Sequence, residues 1–219
     1  MSERSLRSIV AFAMRTRSVF IVNRRIARDW ILLSFSLAIA WSGSHSFASK
    51  DLQTIESDVE SIFIDSNETA LVFLFVAVEC PISNRYAPAV NALHERFASK
   101  DLAISAVYTD ELFSEEEIQR HREDFGYRMP GLVDFQQALT KHCEAEVTPE
   151  AVVFVRQETD DYRMVYRGRI DDRYVDFGQS RRKPGREDLR EILEIVSGGN
   201  ASELEFRETR AVGCYISPN

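Results

Sequence analysis

Cysteine is scarce in this chain, with three residues in 219, and histidine nearly as scarce with four. No Cys-x-x-Cys, His-x-x-x-His or Cys-x-x-Cys-His spacing occurs, which argues against an ordinary metal site and against attached haem. Long apolar runs are missing too. The run from Trp30 to Trp41 is about a dozen residues, whereas roughly 20 are needed to cross a bilayer as a helix. The body of the chain lacks a basic surplus. Residues 1–48 carry seven Arg against only Glu3 and Asp29, so the net charge of -8 comes wholly from the remainder. A surface that tracks phosphates needs clustered Lys and Arg, so no nucleic-acid partner is expected. No internal repeat, coiled coil or low-complexity tract is present. What the chain does have is 44% hydrophobic residues with 11% aromatics, enough to fill a core and to exclude disorder throughout.

The first 48 residues hold a cationic stretch ending in Arg24, Arg25 and Arg28, the Trp30 to Trp41 run, and then Ser46-Phe47-Ala48. That order is the one found in secretory signal peptides. Cleavage after Ala48 is the first reading, and an uncleaved membrane anchor or a start nearer Met14 stays open. Export to the periplasm or the extracellular space follows from either leader, and a membrane is contacted only through an uncleaved one. Beyond it lie Cys80, Cys143 and Cys214. In an oxidising compartment thiols pair, and an odd count leaves one over. Against that stands the ordinary fate of a free Cys, which is burial.

The run Ala70 to Val78 is a continuous series of apolar β-formers, as in a central strand buried on both faces. It ends at Glu79-Cys80-Pro81. From Asn84 onward Tyr86, Val90, Leu93 and Phe97 recur at helical spacing, with Pro88 near the expected helix start. Leu102 to Tyr108 reads as a second strand, and Ser114 with Glu117 as a capping box. A short helix from about Gln136 to Cys143, a hairpin of Ala151–Val155 with Met164–Arg167, and a helix from about Arg186 to Val196 complete the series. Strands alternating with helices and closing on a hairpin predict an α/β fold, a mixed sheet covered on both faces. The expected divisions are 1–48 leader, 49–64 linker and short helix, 65–197 domain, and 198–219 tail carrying Cys214.

Cys80 thus falls at a strand-to-helix junction. A thiol there meets unpaired backbone N–H groups and the positive end of a helix dipole, both favouring thiolate. Arg85 adds to that if it faces the thiol, and Glu79 opposes it; both also suit solvated surface positions. His142 beside Cys143 gives no ligand geometry, and His94 and His121 are expected on solvated helix faces.

The segments Cys80-Pro81-Ile82-Ser83-Asn84-Arg85-Tyr86-Ala87-Pro88, Val147-Thr148-Pro149-Glu150, Tyr166 to Asp172 and Val212-Gly213-Cys214-Tyr215-Ile216 resemble the peroxiredoxin-like redoxin-domain proteins. These form a branch of the alkyl hydroperoxide reductase and thiol-specific antioxidant superfamily. The resemblance covers about residues 65–217 and implies a thioredoxin-like fold with Pro149 cis and facing the thiol. It further implies a thiol oxidoreductase without cofactor or metal, acting on a thiol or disulfide substrate with an external electron donor. Three departures matter. Ser83 stands where thioredoxins place a second Cys, Ala77 where peroxiredoxins place a Thr, and the peroxiredoxin Arg is absent near Thr148-Pro149. A close dithiol cycle is therefore excluded and efficient peroxide reduction lacks its donors, which leaves thiol-disulfide exchange or slow peroxide reduction through Cys80 as the expected chemistry. Cys214 is the candidate resolving thiol, and a purely structural Cys80–Cys214 disulfide is the alternative, in a binding module for a metal or a protein. Thr148 is expected to offer its backbone to a substrate chain. Glu150 is expected either to move protons near Cys80 or to hydrogen-bond its own loop, and Asp171 and Asp172 to hold the tail or the loop before Arg186.

Overall fold

The computed structural model describes residues 52–55, 58–98, 100–159 and 161–219. The leader, its cleavage point and Asp160 of the hairpin turn lie outside them. In chain order the elements begin with β1 (Leu52–Thr54), α1 (Glu60–Ile64), β2 (Ala70–Val76), α2 (Pro81–Phe97), β3 (Leu102–Tyr108) and α3 (Glu115–Asp124). There follow β4 (Gly131–Val133), α4 (Ala138–Cys143), β5 (Val147–Thr148), β6 (Glu150–Arg156), β7 (Tyr162–Gly168), β8 (Tyr174–Asp176) and β9 (Gln179–Ser180). The series ends with α5 (Asp188–Ser197), a 3-10 turn at Ala201–Glu203, β10 (Arg207–Glu208) and β11 (Cys214–Tyr215).

Seven strands make one sheet in the order β1-β4-β3-β2-β6-β7-β10. The first four lie parallel, β6 and β7 alternate in direction, and β10 joins β7 in parallel. Every residue of β2 is buried, and the two-residue period of a strand sorts them by face. Val72, Leu74 and Val76 meet Tyr86, Val90 and Phe97 of α2 and Ile192 and Val196 of α5. Leu71, Phe73 and Phe75 meet Leu139 and Cys143 of α4, with Ile62 and Phe63 of α1 packed alongside. A strand covered on both sides has no position that tolerates a polar side chain, which is why this stretch is apolar without alternation. The arrangement is the expected α/β, thioredoxin-like fold.

Three boundaries differ from the sequence reading. α2 begins at Pro81, not Asn84, because Cys80 itself is the N-cap, and Pro88 therefore sits inside the helix. α5 begins at Asp188, whose fully buried carboxylate accepts from Arg169 Nε at 2.7 Å and from Arg207 Nη2 at 2.6 Å. Burial works against that charge, but the two arginine hydrogen bonds prevail and hold the Asp188 carboxyl below its ordinary pKa. The sheet also takes in β1 and β10, outside the expected 65–197, so part of the tail is a structural member of the core. The capping box at Ser114 and Glu117 is present as read. Among the described residues no helix is long and apolar enough to cross a membrane.

Candidate active site

Cys80 lies where β2 gives way to α2, in extended backbone (φ -80°, ψ 108°), with Pro81 as the first helical residue. Its Cβ faces the α2 side of the sheet, and the residue is only 2% exposed. Three groups contend for its proton. The thiol donates to the Thr148 carbonyl at 3.0 Å, which favours the protonated form. The Ser83 N–H donates to Sγ at 3.5 Å, and Cys214 bonds it through both thiol and backbone. Burial pushes the Cys80 pKa up, but the hydrogen bonds from Ser83 and Cys214 outweigh it, and the thiol ends below its ordinary value. A helix N-terminus and short-range donors are what stabilise a thiolate.

Cys214 is brought there by strand pairing. β11 runs antiparallel to β5, with Cys214 opposite Thr148 and Tyr215 opposite Val147, and the Ile216 N–H continues the ladder to the Glu146 carbonyl at 2.9 Å. The peptide bond between Thr148 and Pro149 is cis. Gly213 makes the approach close: a Cβ there would stand 2.1 Å from the Thr148 carbonyl oxygen, so no other residue fits without moving the tail. Burial raises the Cys214 pKa, and the neighbouring Cys80 raises it further, to about 11. The two thiols are thus polarised in opposite directions, one an acceptor and the other a donor. The edge of Thr148, expected to receive a substrate chain, is already taken by the protein's own tail.

The other candidates fall in different places. Arg85 is exposed on α2, and the groups that shift Cys80 are burial, Ser83 and Cys214. Glu150 is buried with its carboxylate accepting from the Glu146 N–H at 2.8 Å and the Val147 N–H at 3.4 Å. It pairs in register with Phe75, whose side chain belongs to the face opposite Cys80. Its service is therefore to the β5 loop and not to proton transfer at the thiol. Asp172 gathers the loop before α5 through Gly185 and Arg186 N–H groups at 2.6 and 3.0 Å, while Asp171 accepts from the Tyr86 hydroxyl and the Arg173 N–H. Cys143 is fully buried, and burial, followed by Asp134 and Glu150, drives its pKa upward.

Sequence reading missed two groups. Ser83 is fully buried with a hydroxyl that has no hydrogen-bond partner at ordinary length, on the turn that faces Sγ. An unpartnered buried hydroxyl is costly, and a Cys80 thiolate is the acceptor that would satisfy it. His121, expected in solvent, is 5% exposed. Its Nε2 lies 2.8 Å from Asn84 Oδ1 and its Nδ1 3.1 Å from the Tyr108 hydroxyl. Since Asn84 Nδ2 donates to the Val78 carbonyl, Oδ1 is the acceptor and Nε2 carries the proton. Burial lowers the His121 pKa to about 4, so the neutral ring braces the turn that leads to Cys80. No periodic signal distinguishes such a histidine, because its α3 neighbours Gln119, Arg120 and Glu123 are polar.

A cleft of about 710 Å³ opens above the two thiols. Glu79, Asp110 and Glu111 line it together with Ala77, Thr109 and Leu112, and the tail from Cys214 to Asn219 closes one side. No Lys, Arg or His is among the residues lining it. Among the described residues no group of three His, Cys, Asp or Glu is placed to hold a metal ion.

Comparison with known proteins places this geometry. No curated protein matches the chain. An uncharacterized conserved protein from Geobacillus kaustophilus shares 23% identity over 69% of this chain and 78% of its own, with a TM-score of 0.58. A hypothetical protein from Sinorhizobium meliloti shares 24% over 73% and 84%, with a TM-score of 0.56. At these identities the likeness carries the fold. The AhpC/TSA family model matches residues 45–164, which include β2, Cys80, the Thr148-Pro149 bond and β6. The chain belongs to the AhpC/TSA family and is a redoxin of thioredoxin-like fold.

Proposed function

We propose that this protein is an exported thiol-disulfide oxidoreductase in which Cys80 attacks and Cys214 resolves. The observation that carries the reading is the β5–β11 pairing, which seats Cys214 opposite Thr148, whose carbonyl is 3.0 Å from the Cys80 thiol. The Cys80 thiolate attacks one sulfur of a substrate disulfide, forming a mixed disulfide and expelling a thiolate. Cys214 gives its proton to solvent and attacks the Cys80 sulfur, forming the Cys80–Cys214 bond and releasing the substrate's second thiol. An external dithiol then returns both cysteines to the reduced form. The opposed pKa directions support this order, since the more acidic thiol attacks first. Peroxide reduction is the weaker reading, because Ala77 supplies no donor to a leaving oxygen. The acidic cleft favours neutral or cationic substrates. Export rests on the charge and hydropathy order of residues 1–48.

Reduced protein treated with a small disulfide and analysed by mass spectrometry tests the scheme. The wild type should end with a Cys80–Cys214 bond, Cys214→Ser should stop at a mixed disulfide on Cys80, and Cys80→Ser should lose all turnover. Cys143→Ser should keep most of it. A Cys80 that stays unmodified at every pH sinks the proposal, and a Cys80–Cys214 bond that external dithiols cannot reopen in the folded protein makes it a structural disulfide.

A further inference from the structure

The tail does not reach Cys80 by strand pairing alone. Gln137, at the start of α4, is one of three non-glycine residues with left-handed backbone among the described residues, at φ 54°, and it is only 3% exposed. Such a conformation persists in a bulky residue when its surroundings over-determine it. Here Asp134 does so: its buried carboxylate accepts from the Ala138, Leu139 and Thr140 N–H groups and from the Thr140 hydroxyl. The Asp134 carbonyl also accepts from the Gln137 N–H at 2.9 Å. The turn so formed aims the Gln137 carboxamide at the tail. Nε2 donates to the Ser217 carbonyl at 2.6 Å and to Asn219 Oδ1 at 3.1 Å, and Oε1 accepts from the Asn219 N–H at 3.4 Å. Both amide protons and the oxygen are thus committed to residues three to five positions beyond Cys214.

We infer that Gln137 is a positioning residue that latches the tail and so sets the effective concentration of Cys214 at Cys80. The inference rests on the reading of Cys214 as the resolving thiol and adds what holds it in place. Two neighbours make the point sharper. β11 is a two-residue strand extended by a single bond from the Ile216 N–H, and Tyr215 contributes little because it is 81% exposed. The Gln137 amide and Gly213 therefore bracket Cys214 from the two sides, one as a tether and the other as a close-approach point.

The test separates the two chemical steps. An aromatic disulfide whose thiolate is coloured, 5,5′-dithiobis(2-nitrobenzoate), gives one equivalent of colour when Cys80 attacks and a second when Cys214 displaces the remaining aromatic thiol from Cys80. Buried Cys143 stays silent in the folded protein. Gln137→Gly is one informative variant, because glycine relieves the positive φ while deleting the whole side chain, both methylenes and the carboxamide. Relief of the positive φ offsets the lost side-chain contacts, so the melting temperature should stay near that of the wild type, while the ratio of second-phase to first-phase rate falls about tenfold or more, as for loss of a tether. Gln137→Glu, which offers the Ser217 carbonyl a carboxylate and no donor, should lower the ratio as well. Unchanged ratios in both variants overturn the latch. A wild type that releases a single equivalent overturns the Cys214 reading first and the latch with it, so the two failures are told apart.

Discussion

Cys80 and Cys143 are both buried within the same domain, at 2% and 0% exposure, yet they face opposite sides of the sheet and meet opposite surroundings. Around Cys143 the neighbours are apolar, Leu139 and Phe75 among them, and burial with the carboxylates of Asp134 and Glu150 outweighs the one opposing charge, Arg167. The balance there disfavours a thiolate. Cys80 is also nearly closed to solvent, though it borders the cleft, and there a helix N-terminus, the Ser83 N–H and the Cys214 thiol all present donors. Burial alone therefore does not decide whether a cysteine is inert. The decisive variable is what the surrounding atoms offer to a negative sulfur.

The largest expected effect follows directly. In the reduced protein, alkylation by iodoacetamide should modify Cys80 at least about a thousandfold faster than Cys143 near neutral pH, since Cys143 can react only through opening of the core. The sign with pH is fixed by the lowered Cys80 pKa. Its rate should fall about tenfold per unit below its midpoint, level off above it, and show that midpoint below the ordinary thiol value of about 8.5. Peptide mapping after timed quenching reads both sites at once. Equal labelling of the two cysteines would erase the contrast on which the site assignment depends.

A second experiment sharpens the same contrast by removing one donor. Ser83→Ala deletes a buried hydroxyl with no ordinary partner, so the folded protein should lose little stability, or gain some, by shedding an unsatisfied group. The Cys80 thiolate, in contrast, loses a donor. Its alkylation midpoint should move up by about one unit or less, the scale of one hydrogen bond to a charged group. A variant whose midpoint stays put would leave the Ser83 N–H and Cys214 as the sufficient donors.

How much of this was legible in the sequence depends on the kind of interaction. β2 was readable because double-sided burial leaves a continuous apolar run, and the capping box because two residues at fixed spacing carry the whole device. Cys80 at the β2–α2 junction was readable for the same local reason. The start of α2 was misjudged because hydrophobic periodicity begins only at Tyr86, whereas the helix begins where Cys80 and Pro81 stop the strand. His121, Ser83 and Gln137 were out of reach. His121 and Gln137 act through partners far along the chain, Asn84 for the first and the Ser217 carbonyl for the second, and a polar residue carries no mark of such a partner; Ser83 acts on nearby Cys80, but its burial comes from the packing of α2. Glu150 shows the converse: its place beside Thr148-Pro149 suggested a role at the thiol, but strand alternation turns its carboxylate to the other face.

The smallest effect expected concerns the cleft and what it admits. Cys143 is buried in the core, whereas Cys80 lies beneath a cleft bordered by Glu79, Asp110 and Glu111 with no cationic lining residue. Charges of this kind act through solvent, and at physiological ionic strength their reach is about 8 Å. They should therefore rank substrates by several-fold without deciding reactivity outright. At low salt, cystamine, which is dicationic, should react with Cys80 faster than dithiodiglycolate, which is dianionic, and added salt should slow the first and speed the second. The net charge of the whole chain pushes in the same direction, so a local origin needs its own control. Combining Glu79→Gln, Asp110→Asn and Glu111→Gln should flatten the ranking, while neutralising Glu115, Glu116 and Glu203, outside the cleft lining, by the same number of charges should leave it nearly intact. If the distant set flattens it as much as the near one, the selectivity belongs to the net charge and the cleft contributes only access.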